Sequence, residues 1–124
     1  MPHISRNDAQ VKDVGPVLVR SREALGYRID FVTFKTDIDA TPLLKGLPHD
    51  LCSAAHWGYV LKGTVTFRFL DGHEEVFVEG DAFYAPAPHT SRAAEGTEYL
   101  QFSPDAQLKE VEAVMMKNMA AMKR

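Results

Sequence analysis

The chain has 124 residues, the usual size of one domain, and this length can bury a core without disulfides or a structural metal. Its net charge is −3 and its basic residues are scattered rather than clustered, so we expect no nucleic-acid partner. The single cysteine excludes an intrachain disulfide, the N-terminus lacks an apolar signal core, and no apolar run approaches the ~20 residues of a membrane helix, so we expect no membrane partner and a cytoplasmic location.

The first part of the chain predicts an arm followed by two strands. Residues 1–15 are polar and end at a Gly-Pro pair, which is typical of a loosely held N-terminal arm. Pro16–Arg22 indicates a short edge strand. Tyr27–Lys35 alternates with period two and is rich in β-branched and aromatic residues, so it predicts a longer strand. Residues 36–51 carry two prolines and a glycine and predict a loop or a short irregular strand.

The middle of the chain predicts antiparallel strands joined by tight turns. Asp71-Gly72 is the strongest hairpin signal, because a two-residue hairpin turn needs residues that accept positive φ. In the strand before it, Val65 and Phe67 share one face, and Thr64 and Thr66 share the other. The expected strands are 56–62, 64–69, 75–79, 82–85 and 97–103. No crossover helix separates them, so a parallel sheet is not expected.

The end of the chain predicts one amphipathic helix over residues 104–124. Ser103-Pro104-Asp105 is a helix start, with a hydroxyl N-cap, a proline in the first turn and an acid at the positive end of the dipole. Apolar residues then recur at helical spacing: Leu108, Val111, Met115, Met119 and Met122. The predicted organisation is therefore an arm over residues 1–15, an all-β barrel or sandwich over residues 16–103, and a C-terminal helix.

Residues 43–103 resemble the cupin family. The resemblance rests on Gly63 in YVLKG, which matches the glycine that closes the family's first signature segment. Gly80-Asp81 and Pro86 match the second segment at the family's spacing. The resemblance implies a jelly-roll barrel of antiparallel strands, also called a double-stranded β-helix, to which this chain adds one C-terminal α-helix.

The resemblance also implies a metal-binding motif that is altered in this chain. Counting back from the glycine, the metal-binding Glu of the family falls on His56. The two earlier histidines of the family fall near His49 and on Leu51 or Cys52. The second segment is shortened, so that its histidine, His89, arrives two residues early.

Four residues are therefore candidate metal ligands: His49, Cys52, His56 and His89. Three protein ligands with an open position are the usual catalytic arrangement. Imidazole suits Zn, Fe, Cu and Ni, and a thiolate shifts the preference toward Zn or Cu(I). Cys52 and His56 would lie ~13 Å apart in an extended chain, so both can bind one metal only if residues 53–55 form a turn.

Each of these residues also has a purely structural interpretation. Cys52 is typical of a small buried hydrophobic residue, and His56 of a core histidine that is hydrogen-bonded to a carbonyl. Strand parity predicts that His56 points into the barrel with Val60, and that Trp57 and Tyr59 point the other way.

Two functions fit this pattern. The first is a cupin-like barrel that binds a divalent metal (Zn, Fe, Ni or Cu) and a small organic substrate, and the second is a metal-free module that binds a small molecule. The sequence assigns no catalytic residue and no reaction, so enzyme activity stays open. We also expect a homodimer, in which an exposed edge at Val17–Val19 pairs with a partner; the apolar stripe at Leu108–Met122 is expected to cover either a sheet face or a partner.

Overall fold

The structure is a computed structural model that describes residue 3, residues 5–7 and residues 9–122. Residues 1, 2, 4 and 8 of the expected arm, and residues 123 and 124 of the expected helix, lie outside the described residues. The strands are β1 (Gln10–Asp13), β2 (Val17–Ala24), β3 (Tyr27–Phe34), β4 (Ile38–Asp39), β5 (His56–Lys62), β6 (Thr64–Phe69), β7 (Glu74–Val78), β8 (Ala82–Ala85), β9 (His89–Ala93) and β10 (Glu98–Pro104). Two 3₁₀ turns (Thr41–Leu44 and Pro48–Asp50) follow β4, and helix α1 (Asp105–Met122) ends the described chain.

The strands form two antiparallel sheets that face each other. The six-stranded sheet has the order β1-β2-β3-β10-β5-β8, and the four-stranded sheet has the order β4-β9-β6-β7. Each pairing between neighbouring strands is antiparallel. The predicted jelly-roll fold with one C-terminal helix is therefore confirmed.

The apolar core has two parts. The larger cluster lies between the sheets and is built on side chains such as Val60, Phe67 and Phe83. The smaller cluster lies beneath α1, where Leu108 and Val111 pack against Leu44, Leu47, Cys52 and Ala54. At Leu108 and Val111, the apolar stripe of the helix thus covers a segment of its own chain rather than a partner.

The predicted hairpin is present, and its loop is longer than a two-residue turn. The loop comprises residues 70–73, because β6 ends at Phe69 and β7 begins at Glu74. Only Gly72 in this loop has a positive φ, of 91°. The Gly72 N–H donates to the carbonyl of Phe69 at 2.8 Å. The turn therefore needs one left-handed residue, which glycine adopts without steric cost.

The N-terminal segment contains a strand that the sequence did not predict. β1 pairs with β2 from Gln10↔Ser21 to Asp13↔Leu18. β2 is therefore an interior strand of the sheet, and the expectation that Val17–Val19 offers a free edge to a partner is wrong. β1 is held by backbone hydrogen bonds to β2. Its sequence is polar and does not alternate, so this pairing could not be predicted from the sequence.

Two further boundaries differ from the expectation. β9 was not predicted, because HTSRA has neither alternation nor large apolar residues, yet it pairs with β6 over five residues. The helix begins at Asp105 rather than Pro104, because β10 stays paired with β3 as far as Pro104↔Tyr27. Among the described residues, no helix has the length and apolar character needed to cross a membrane.

Candidate metal centre

His56 is held at the first position of β5 and points inward. It is buried together with Val60, whereas Trp57 and Tyr59 are exposed, as the parity of the strand predicts. Phe102 is the partner of Trp57 in the neighbouring strand β10, so the next residue, Ser103, lies beside His56. The Ser103 Oγ atom is 2.7 Å from His56 Nδ1, and this hydrogen bond leaves Nε2 available to a ligand.

His89 approaches His56 from the opposite sheet. It is the first residue of β9 and is only 2% exposed. Its Nδ1–H donates to the carbonyl oxygen of Pro86 at 3.0 Å, so in the neutral ring Nε2 carries the free lone pair. The two imidazole rings lie 4.9 Å apart between centroids. Phe67 packs edge-on against His89 at 5.1 Å and shields it from water.

Cys52 reaches the same place because the chain turns after it. A backbone bridge pairs Cys52 with His89, with the Cys52 N–H donating to the His89 carbonyl at 2.6 Å. The Cys52 Sγ atom then lies 3.8 Å from His56 Nε2. Residues 53–55 thus make the turn that a shared site requires.

These three residues form the cluster of candidate ligands. One donor atom from each of Cys52, His56 and His89 lies within 4.8 Å of the others. Donors bound at about 2.0–2.3 Å in a tetrahedral site are roughly 3.3–3.8 Å apart, so small side-chain shifts suffice to seat a metal ion. Two imidazoles and one thiol are also donors that Zn and Cu accept. The residues present therefore fit a metal ion.

His49 does not join this cluster. It is exposed, it lies in the 3₁₀ turn Pro48–Asp50, and its φ is 59°. Within this loop, the Asp50 carboxylate accepts a hydrogen bond from the Gly46 N–H at 2.9 Å. The structure therefore brings together three of the four candidate ligands and leaves His49 outside.

Burial makes all three candidate ligands neutral at physiological pH. Burial, with a smaller contribution from the neighbouring His89, lowers the pKa of His56 to about 3. Burial also lowers the pKa of His89, although the hydrogen bond to Pro86 opposes this. Burial raises the pKa of the Cys52 thiol to about 11, although a hydrogen bond with the backbone of Ala54 acts in the other direction. The imidazoles are thus ready to bind a metal, whereas the thiol must first lose a proton.

The sequence analysis missed two buried polar residues, one of which contacts the cluster. Ser103 was assigned to the helix cap, and its hydroxyl instead contacts His56. Asp30 is 3% exposed and lies beside Gln101 on the inner face, and its Oδ1 atom has no hydrogen-bond partner. Burial raises the pKa of Asp30 against the opposing effect of a hydrogen bond from Ser21. The alternation in β3 puts Asp30 on the same face as Val32 and Phe34. Both faces of β3 carry apolar residues, so the sequence alone did not predict which face is buried.

Comparison with known protein families supports the same architecture. Residues 48–102, which include Cys52, His56 and His89, match the family model described as Cupin domain. The chain contains a cupin domain. The family resemblance that Gly63, Gly80-Asp81 and Pro86 indicated is therefore confirmed.

Solved structures with the same fold include several cupins. KdgF from a Halomonas species is 21% identical with a TM-score of 0.58, and the match covers 84% of this chain and 94% of that one. An RmlC-like cupin from Shewanella frigidimarina is 17% identical with a TM-score of 0.57, covering 84% and 92%. Oxalate decarboxylase from Lactobacillus farciminis, in a formate complex, is 18% identical with a TM-score of 0.60, covering 82% of this chain and 32% of that one. At these identities the likeness shows the fold of the cupin domain. No curated protein matches the sequence.

Proposed function

We propose that this cupin domain binds one divalent metal ion through Cys52, His56 and His89 and presents it to a small organic molecule. The observation that carries the proposal is the convergence of one donor atom from each residue within 4.8 Å. The thiol favours Zn(II) or a copper ion over the harder metals, because thiolate is a soft ligand. When bound, such a metal polarises an oxygen atom of the substrate as a Lewis acid.

The protein's own residues would orient the ligands and exclude water. The Ser103 hydroxyl forms a hydrogen bond with Nδ1 of His56, and the carbonyl of Pro86 accepts one from Nδ1 of His89. Partners of this kind fix the ring orientation and the tautomer of metal-binding histidines. Phe67 packs against His89 and lowers the local polarity, which strengthens the electrostatic effect of any charge in the site.

Metal analysis of protein purified without a chelator tests this proposal. We expect close to one metal ion per chain, and we expect Cys52→Ala, His56→Ala and His89→Ala each to lose most of it. His49→Ala is the matched control, because His49 is an exposed histidine outside the cluster. Loading with Co(II) adds a spectroscopic readout, since a thiolate ligand gives an intense near-ultraviolet charge-transfer band that Cys52→Ser should abolish.

Protein that contains no metal and takes up neither Zn(II) nor Co(II) would contradict the metal proposal. The second candidate function would then be the one left to test, namely a metal-free module that binds a small molecule. A metal-free cluster is favoured by the contact that the thiol and the imidazole already make, with Cys52 Sγ 3.8 Å from His56 Nε2. A small-molecule screen by thermal shift on the metal-free protein distinguishes the two functions, because only the second expects stabilisation without metal.

A further inference from the structure

The outer face of the four-stranded sheet contains a cavity with a volume of about 280 Å³, which we call the outer cavity. All four strands of the sheet contribute polar side chains to its lining. The residues that matter for its chemistry are Asp39, Thr66, Arg68, Glu74, Thr90 and Arg92. Sites for drug-sized molecules usually enclose about 300–1,000 Å³, so this cavity fits a smaller molecule with many polar atoms.

The outer cavity and the candidate metal centre lie on opposite faces of β9. His89 points into the core, whereas the next residue, Thr90, lines the outer cavity, because successive side chains of a strand point to opposite faces. In the pairing of β9 with β6, Thr90 is the partner of Arg68 and Arg92 is the partner of Thr66. A molecule in the outer cavity is therefore separated from the metal ligands by the sheet, and its binding does not depend on a metal.

Two threonines form the floor of the outer cavity. Thr66 is only 7% exposed and Thr90 only 3%, although both point away from the core. Strand β6 lies between β9 and β7, so the ion pair of Arg92 with Glu74 at 2.7 Å carries the arginine side chain across β6 and over Thr66. The Thr90 hydroxyl lies 2.9 Å from the hydroxyl of Thr41. Hydroxyl groups both donate and accept hydrogen bonds, so this floor suits a polar ligand.

Arg68 is a charged group of this cavity that has no partner. Glu74 is its neighbour in β7, but both carboxylate oxygens of Glu74 accept hydrogen bonds from Arg92, at 2.7 and 3.2 Å. The Asp39 carboxylate accepts a hydrogen bond from the Thr41 N–H at 2.9 Å. In the part of the chain that the structure describes, no hydrogen bond or ion pair engages the Arg68 guanidinium. Its planar fork of N–H donors is therefore free to bind an acceptor that comes from outside the chain.

The charges around Arg68 limit which anion fits. Hydrogen bonds from Thr41 lower the pKa of Asp39, and those from Arg92 lower the pKa of Glu74, so both carboxyl groups are ionised at neutral pH. A phosphate dianion would bring two negative charges close to these two carboxylates. A carboxylate brings one negative charge, and its two oxygens match the guanidinium fork in a bidentate pair. The cavity therefore favours a monocarboxylate over a phosphate.

We propose that the outer cavity binds a small hydroxycarboxylate, whose carboxylate pairs with Arg68 and whose hydroxyl group forms a hydrogen bond with the threonine floor. The site is additional to the proposed metal centre, and neither needs the other. It gives the domain a second place to hold a small molecule, on the side of the sheet away from the core.

Titration with glycolate, the smallest hydroxycarboxylate, tests this proposal. We expect the backbone amide resonances of Thr66, Thr90 and Arg92 to shift along one binding curve, with a dissociation constant on the order of 1 mM. Acetate lacks the hydroxyl group and should bind about fivefold more weakly. Inorganic phosphate should also bind more weakly than glycolate. Protein treated with 1,10-phenanthroline, an uncharged chelator, should show the same shifts, because a metal ion takes no part in this site.

Two variants locate the contact. Arg68→Gln should weaken glycolate binding at least about 10-fold, because it removes a charge-assisted bidentate pair from an exposed position where the fold does not need it. Arg20→Gln is the matched control, since Arg20 is a partly exposed arginine in β2 of the other sheet, and it should bind glycolate as the wild type does.

Four results would overturn the proposal in whole or in part. The site would be excluded if the three amides did not shift at about 50 mM glycolate, or if Arg68→Gln and the wild type bound it equally. Loss of the shifts after chelator treatment would assign the binding to a metal ion instead. Phosphate that binds more tightly than glycolate would contradict the choice of a carboxylate, and acetate that binds as tightly would contradict the contact of the hydroxyl group.

Discussion

The Nδ1 atom of His56 lies 2.7 Å from the Oγ atom of Ser103, so the inner ends of two neighbouring strands are joined by one buried hydrogen bond. When Nε2 binds a metal ion, the neutral ring carries its proton on Nδ1, and this N–H donates a hydrogen bond to the Ser103 oxygen. The bond therefore fixes the direction in which His56 presents its lone pair toward Cys52.

Removal of this hydrogen bond should weaken metal binding without removing a ligand. We expect Ser103→Ala to lower the affinity for Zn(II) about 10-fold, because partners of ligating histidines typically contribute 10- to 100-fold. Competition with a coloured chelator measures the change. Thr33→Ala, whose side chain lies on the face of β3 opposite to the buried Val32 and Phe34, is the control and should leave the affinity unchanged. Equal affinities in Ser103→Ala and the wild type would show that Ser103 does not orient the ligand.

The affinity for the metal should rise with pH because of the thiol. The pKa of Cys52 is raised to about 11 by burial, so the thiol is protonated at neutral pH and must release one proton when it binds a metal. The imidazole of His56, with a pKa of about 3, stays neutral and releases none. We therefore expect the Zn(II) association constant to increase about tenfold per pH unit between pH 6 and pH 8. A flat profile in this range would show that the Cys52 thiolate is not a ligand.

The metal-free protein should lose stability on acidification because of the two buried histidines. An unfolded imidazole has a pKa of ~6.5, and burial lowers the pKa of His56 to about 3 and that of His89 in the same direction. The unfolded chain therefore binds protons that the folded chain excludes. The free energy of unfolding should fall by up to about 1.4 kcal/mol per pH unit for each histidine below pH ~6.5, until the folded pKa is reached.

Denaturant titrations at pH 7.0, 5.5 and 4.5 measure this loss. His56→Gln should reduce the slope, because glutamine does not titrate. Equal slopes for the wild type and His56→Gln would show that His56 is not a buried neutral group.

Asp30 should destabilise the fold at neutral pH. Burial raises its pKa and its Oδ1 atom has no hydrogen-bond partner, so the folded state favours the protonated form. The stability is therefore full below the unfolded pKa of ~3.9 and decreases as pH rises through the folded pKa. Asp30→Asn should raise the free energy of unfolding by about 1 kcal/mol at pH 7, and the gain should vanish near pH 4. A gain that is independent of pH would exclude titration of Asp30 as its cause.

Arg28 should stabilise the protein far more than a surface arginine does. Arg28 in β3 is buried and forms ion pairs with Asp105 at 2.9 Å and Glu112 at 3.1 Å, which attach α1 to the sheet. Arg28→Met should lower the free energy of unfolding by about 3 kcal/mol, because the buried Asp105 carboxylate loses the cation at its Oδ1 atom and keeps only Lys109. Arg92→Met, which breaks the exposed pair with Glu74, should cost much less, because solvent screens that pair. Thermal unfolding compares the two, and equal losses would contradict this difference.

Local pattern alone determined much of the fold. Strand β5 was predicted from His56 to the glycine that ends it, and the inward direction of His56 followed from its parity with Val60. Strand β8 was predicted at its observed bounds, and the hairpin was predicted from Asp71-Gly72. These features follow from short-range physics, because side-chain alternation and turn chemistry are properties of neighbouring residues.

Contacts between distant residues decided the rest. Neither β9 nor β1 has an apolar pattern of its own. β9 is a strand because it pairs with β6, and β1 is a strand because its backbone pairs with β2. Cys52 joins His56 and His89 because a backbone bridge to β9 holds it there, whereas His49, three residues earlier, stays at the surface. A metal site needs donor atoms to converge from several strands, and convergence depends on sheet register and on the path of the turns, which only the tertiary structure sets.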